Sequence, residues 1–192
     1  MCSSDLTGTT GSTGAKGDTG TTGDTGSKGD KGDTGAAGVV LSVDNTWTGT
    51  QTFAGSTSKL AEVLTNAGEV ATVSATAATG TINYDVTTQS VLYYTTDASA
   101  NWTVNFRGSS GTSLNTLMST GQSITVAFLV TQGSTAYYNN AVTIDGSSVT
   151  PKYQGGTAWS AGNASGVDAY VYTIVKTGSA TFTVFASQTQ FK

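Results

Sequence analysis

Seven carboxylates follow residue 40: Asp44, Glu62, Glu69, Asp85, Asp97, Asp145 and Asp168. Two of them facing each other across a groove would make a glycan-cleaving pair. Asp97 and Asp145, however, stand in turn-like contexts, where a carboxylate more often bonds the backbone. Histidine is absent throughout, which removes the commonest general base, the commonest zinc ligand and any Ser-His-Asp nucleophile. Cys2 is the single cysteine, so an internal disulfide is excluded and a thiolate metal site is not expected. No spaced Asp-x-Asp-x-Asp run offers a calcium loop, and Gly155-Gly156 lacks the lysine and following helix of a phosphate-binding loop. The residue types therefore point to no catalytic group, no metal site and no cofactor.

Recognition chemistry has one candidate. Lys152 to Asn163 is a long, polar, Gly-rich stretch with two aromatics. Tyr153 and Trp159 are suited to stacking on sugar rings, with Gln154 and Asn163 bonding hydroxyls. The competing reading is that Trp159 closes a sheet edge or a subunit interface, and its size favours packing. Tyr137-Tyr138 is a weaker candidate, because one of two adjacent strand residues usually faces inward.

The elements that must position this loop read as strands from Leu60 onward. Ser90 to Tyr94 is aromatic and branched, and Trp102, Val104 and Phe106 alternate with polar residues. Ser123 to Thr131 has a continuous apolar part, which predicts burial on both faces, by a second sheet or by neighbouring subunits. Ala141 to Thr150 predicts a hairpin turning at Asp145-Gly146, a type I′ pair. Tyr170, Tyr172 and Ile174 alternate with Val171, Thr173 and Val175, and Thr181 to Phe185 predicts a return strand. Leu114, Leu117 and Met118 have helical spacing, and Ser58 to Glu69 reads equally as helix or strand-turn. Many short strands with frequent turns predict an all-β head, a jelly-roll-like sandwich, over residues 58–192.

A different rule governs the N-terminal part. Gly8, Gly11, Gly14, Gly17, Gly20, Gly23, Gly26, Gly29, Gly32, Gly35 and Gly38 fall on every third residue without exception. A collagen-type triple helix needs that spacing, since each chain passes a crowded common axis once per triplet and only glycine fits there. A flexible linker has no reason to hold the phase. Residues 8–38 are thus expected to form a triple-helical stalk of about 90–100 Å at about 3.1 Å per residue, and the chain to form a homotrimer. The run contains no proline, since Pro151 is the only one in the chain, so its polyproline II dihedrals are not pre-set. Lys16-Gly17-Asp18, Lys28-Gly29-Asp30 and Lys31-Gly32-Asp33 place opposite charges where neighbouring chains meet, each pair contributing about 0.2–1 kcal/mol. Such a stalk is marginal alone and needs a partner domain to hold three chains in register.

Hydrophobic residues make up 36% of the chain and charged residues 10%, with a formal net charge of −4. An acidic, charge-poor chain does not suit nucleic acid or anionic lipid. The longest apolar run, Val126 to Val130, is far too short to span a membrane, and no basic-then-apolar leader opens the sequence. Met1 to Leu6 is what a GTG start followed by TGC-TCT-TCC-GAT-CT would encode, a sequencing-adapter end read in frame. Residues 1–7 are therefore expected to be an artefact or a disordered start, with further chain upstream.

Residues 39–57 form a neck between stalk and head, with Trp47 and Phe53 as buried-anchor candidates. Within it, Asn45-Thr46-Trp47-Thr48-Gly49-Thr50-Gln51-Thr52-Phe53 resembles the Asn-Thr-Phe-Thr-Gly-x-Gln-Thr-Phe segment of phage tail-fibre proteins. The head, through Ala71 to Val86 and Ser123 to Val130, resembles structural proteins of marine tailed phages, particularly cyanophages. The resemblance implies a virion fibre or appendage protein, located on the particle surface and extracellular once released. Its partners would be two further copies of itself, other virion proteins, and a host-surface glycan or protein. The alternative is a bacterial cell-surface or spore-coat collagen-like adhesin, and neighbouring capsid and tail genes would decide against it.

Overall fold

The computed structural model describes residues 9–23, 49, 52 and 68–192. The chain divides into two compact units, residues 1–62 and 63–192. In the first, residues 9–23 carry neither helix nor strand and are all exposed. The remainder of the Gly-x-y run, the anchors Trp47 and Phe53, and residues 58–67 of the ambiguous segment lie outside the described residues.

Among its described residues the second unit is all-β apart from one α-helical turn and a short 3-10 turn. Its elements are β1 (Ala71–Ala77), β2 (Gly80–Asp85), β3 (Val91–Thr96), β4 (Trp102–Arg107), α1 (Leu114–Leu117), β5 (Ser123–Thr131), β6 (Asn139–Ile144), β7 (Ser147–Val149), β8 (Lys152–Tyr153), β9 (Val167–Gly178) and β10 (Thr181–Phe191). They make two sheets, ordered β1-β3-β5-β9-β10-β8 and β2-β4-β6-β7. From β1 to β6 the chain alternates between the sheets, and each strand pairs in parallel with the one two steps earlier. Antiparallel pairing enters only at β6–β7, β5–β9 and β9–β10.

That winding corrects the jelly-roll expectation. A jelly roll is built from antiparallel Greek keys, whereas β1 to β6 form a coil stepping from sheet to sheet. Period-two alternation tells which face of a strand is buried and says nothing of the direction of its neighbour. The all-β, two-sheet architecture stands, and the finer topology differs.

The core lies between the sheets. Leu92, Val126, Phe128, Val130, Tyr170, Tyr172, Ile174 and Val184 face Ile82, Tyr84, Trp102, Val104, Phe106, Val142 and Ile144, all buried. Ring edges interlock across the gap, with Phe106 and Tyr172 centroids 4.9 Å apart and Trp102 and Tyr170 5.5 Å apart. Such offset pairs each contribute about 0.5–1.5 kcal/mol beyond burial. The hairpin predicted at Asp145-Gly146 is present, with φ of 50° and 81° as a type I′ turn requires. The helical turn predicted from Leu114, Leu117 and Met118 is α1 with its C-cap, burying Leu114 and Met118 while Leu117 stays exposed. The return strand runs further than its apolar start suggested, to Phe191.

The two outward sheet faces differ in chemistry. On the smaller sheet, Asn83, Asn105 and Thr143 stand in one row, with Asn105 Nδ2 donating to Asn83 Oδ1 at 2.8 Å and Thr143 Oγ1 donating to Asn105 Oδ1 at 2.8 Å. The row beside it holds the Asp85–Arg107 ion pair. On the larger sheet the outward rows are Tyr93–Leu129–Ala169–Thr189 and Val91–Ala127–Val171–Ser187, with Phe185 and Phe191 further along β10. Ser123 to Thr131 is thus buried on one face, while Ala127 and Leu129 on the other are only half-buried.

Candidate functional site

Tyr153 ends β8, Gln154, Trp159 and Asn163 occupy the loop between β8 and β9, and the structure divides the four into three environments. Lys152 and Tyr153 pair in parallel with Phe185 and Ala186 of β10, so Tyr153 turns toward the core side and Lys152 toward the outward face. Gln154 opens a short 3-10 turn through Gly155 and Gly156, whose φ values of 73° and 78° suit glycine. Its side chain is exposed.

Trp159 closes the edge of the sandwich. Its ring meets Tyr153 edge-on at 4.8 Å, Tyr170 at 5.1 Å and Tyr172 at 6.3 Å. Its Nε1 donates to the Asn139 carbonyl. Asn139 is itself buried, donating from Nδ2 to the Trp102 and Ala141 carbonyls and accepting from the Tyr172 hydroxyl at 3.0 Å. The packing reading of Trp159 therefore has a full set of partners. Asn139 is the residue that sequence reasoning missed, because nothing in Tyr137-Tyr138-Asn139-Asn140 marks the first asparagine as the buried one.

Asn163 belongs to a separate knot. Its backbone N–H donates to Asp168 Oδ2 at 3.1 Å and its Nδ2 to the Phe191 carbonyl at 2.8 Å. Asp168 is fully buried, and Gln132 Nε2 donates to the same Oδ2 at 2.9 Å and to the Tyr137 carbonyl at 2.7 Å. Asp168 Oδ1 has no hydrogen-bond partner. Burial pushes the Asp168 carboxyl above its ordinary value, and the bonds from Asn163 and Gln132 oppose that shift. Burial likewise raises the Tyr172 hydroxyl well above the usual phenol range.

Two of the four candidates share a groove. Tyr153 and Gln154 line a cleft of about 400 Å³ with Lys152, Val171, Thr173 and Phe185. An apolar floor with an ammonium and an amide at its rim suits a polar ligand with one flat apolar face, such as a sugar. Trp159 and Asn163 do not line it. A larger cavity, about 550 Å³, lies at the C-terminal ends of β3 and β5, bounded by Asp97, Gln132, Gly133, Ser134, Phe191 and Lys192.

Two further carboxylates are engaged in local structure. Asp85 pairs with Arg107. Asp145 accepts from the Leu114 and Asn115 amides at 2.7 and 2.9 Å, the backbone-bonding role its turn context predicts. Among the described residues no group of three or more acidic or sulfur ligands converges as a metal site, and no helix is long and apolar enough to cross a membrane. Compared with known proteins, the chain matches no family model, no curated protein and no solved structure.

Proposed function

We propose that the chain is a homotrimeric virion fibre or appendage protein. A collagen-like stalk over residues 8–38 holds a C-terminal β head away from the particle, and the head serves assembly and host-surface attachment. The observation that carries this reading is the unbroken glycine period from Gly8 to Gly38, whose steric reason exists only when three chains share an axis. The two-sheet unit at 63–192 supplies a folded body of the kind a proline-free stalk needs to stay in register. The exposed turn from Gln154 to Ala158 is the part of the head best suited to meeting a glycan. Three heads on one stalk would turn a weak single site into useful avidity.

The test uses the full chain and the particle. Light scattering at micromolar concentration should give three times the chain mass, and bacterial collagenase should cleave residues 8–38 while leaving the head intact. Antibody raised against the head should decorate phage particles in electron micrographs. Label confined to a bacterial envelope or spore coat would replace the fibre with the adhesin reading.

A further inference from the structure

Strands β3, β5, β9 and β10 present an outward face that nothing among the described residues covers. Its members are Val91, Tyr93, Ala127, Leu129, Val171 and Phe185, together with smaller aliphatics and hydroxyl residues in the same rows. None of the outward positions on these four strands is charged; Lys152, on β8, stands at the margin. The opposite face of the sandwich carries the Asn83–Asn105–Thr143 ladder and the Asp85–Arg107 pair. One side of the head is thus finished for water and the other is not.

We infer that this face of the larger sheet is the surface on which three copies of the chain dock around a common axis. The inference rests on the homotrimer reading and adds where the contact lies. Charge supports self-association: symmetry brings each residue of an axial face near its own copies, so a charged face would repel itself, and this one is neutral.

Size agrees. β5, β9 and β10 are 9, 12 and 11 residues long. At about 3.3 Å per residue and about 4.8 Å between strands, these three with the six-residue β3 cover roughly 600 Å². That approaches the roughly 800 Å² per partner of a stable interface. The continuous apolar run of β5 then has its reason: Val126, Phe128 and Val130 fill the chain's own core, and Ala127 and Leu129 face the partner copies.

The experiment compares the full chain with Leu129→Lys by light scattering over a concentration series. It adds a thiol probe, Ala169→Cys in a Cys2→Ser background, alkylated by iodoacetamide in native and denaturing buffer. The expected result is a wild-type trimer, a Leu129→Lys trimer that dissociates at about a hundredfold higher concentration, and a thiol at 169 that reacts only after denaturation. A wild-type chain that is monomeric throughout would bring down the homotrimer reading, and this inference with it. A tight trimer whose residue-169 thiol reacts at the denatured rate would overturn the face assignment alone. A protected thiol with an unweakened Leu129→Lys trimer would show that something other than the docked copies covers the face, and would also overturn it. Should Leu129→Lys fail to fold, the thiol decides: protection in the trimer, lost on dilution to monomer, supports docking, and protection that survives dilution overturns it.

Discussion

Asp145 and Lys176 grip opposite ends of the same helical turn. The Asp145 carboxylate accepts from the Leu114 and Asn115 amides at the start of α1, and the Lys176 ammonium donates to the Asn115 and Met118 carbonyls at 2.6 and 2.8 Å. The two form no ion pair with each other, yet both fix Leu114 and Met118 into the core.

Because a four-residue turn has little hydrogen bonding of its own, removing either clamp should be costly. Asp145→Ala leaves two amides without their acceptor and is expected to destabilise the head by about 1–3 kcal/mol. Lys176→Met strands two carbonyls and should cost a similar amount. Since both act on one turn, the double variant should lose less than the sum of the singles. Urea unfolding of the four proteins measures this; strict additivity would mean that the two ends are independent.

The clamp also marks where sequence reading stops. Asp145 was legible as a turn residue, since Asp-Gly demands the left-handed backbone it adopts. That its carboxylate reaches α1 was not, because residues 114 and 145 meet only through the fold. Alternation marked Tyr170, Tyr172 and Ile174 as one face of a strand, and that face is the buried one. It gave no sign that β1 to β6 run parallel, a property of pairing that one strand's pattern does not contain. Lys176, buried with its nitrogen on backbone carbonyls, broke the pattern from within: it occupies an inward position that sequence would reserve for an apolar side chain.

Trp159 should behave as a structural residue. Trp159→Ala removes ring edges from Tyr153, Tyr170 and Tyr172 and is expected to cost about 2–3 kcal/mol, less than for a fully buried tryptophan. Trp159→Phe keeps most of the packing and loses the bond to the Asn139 carbonyl, a loss of about 1 kcal/mol. Thermal unfolding of both variants checks this. A fully stable Trp159→Ala protein would return the residue to ligand recognition.

Asp168 gives the head a pH signature. Its folded-state pKa lies above the ordinary 3.8 because of burial. Between those values the folded chain keeps a proton that the unfolded chain releases, so its contribution falls as pH rises through that window and is level above it. Asp168→Asn keeps an acceptor for Gln132 and Asn163 and cannot ionise. Thermal midpoints measured from about pH 4 upward should slope downward in the wild type and lose that slope in the variant. Equal slopes in both would place the buried proton elsewhere.

Gly162 is fixed by space rather than by backbone angle. A methyl group there would run into the Tyr137 carbonyl, the Asp168 carboxylate and the Gln132 amide. Gly162→Ala is therefore expected to cost about 3 kcal/mol, at the upper end for overpacking, since a backbone carbonyl stands in the way. Gly111→Ala, where nothing lies within 4 Å of the added carbon, is the matched control and should unfold like the wild type.

The stalk admits a sharper comparison, because one substitution means different things in one chain and in three. In the single chain an added carbon at Gly11, Gly14, Gly17, Gly20 or Gly23 meets nothing within 4 Å. Gly20→Ala in an isolated strand would then be silent. At the axis of a triple helix the same methyl group has no room, and a single replacement disrupts the helix locally. Full-length Gly20→Ala should lower the melting temperature of the triple-helix circular dichroism signal while leaving the near-ultraviolet melt of the head unchanged. Raising salt should lower the same transition in the wild type by screening the three Lys-Gly-Asp steps. If Gly20→Ala moves neither signal, the glycine period has no shared axis behind it, and the fibre reading loses the observation on which it rests.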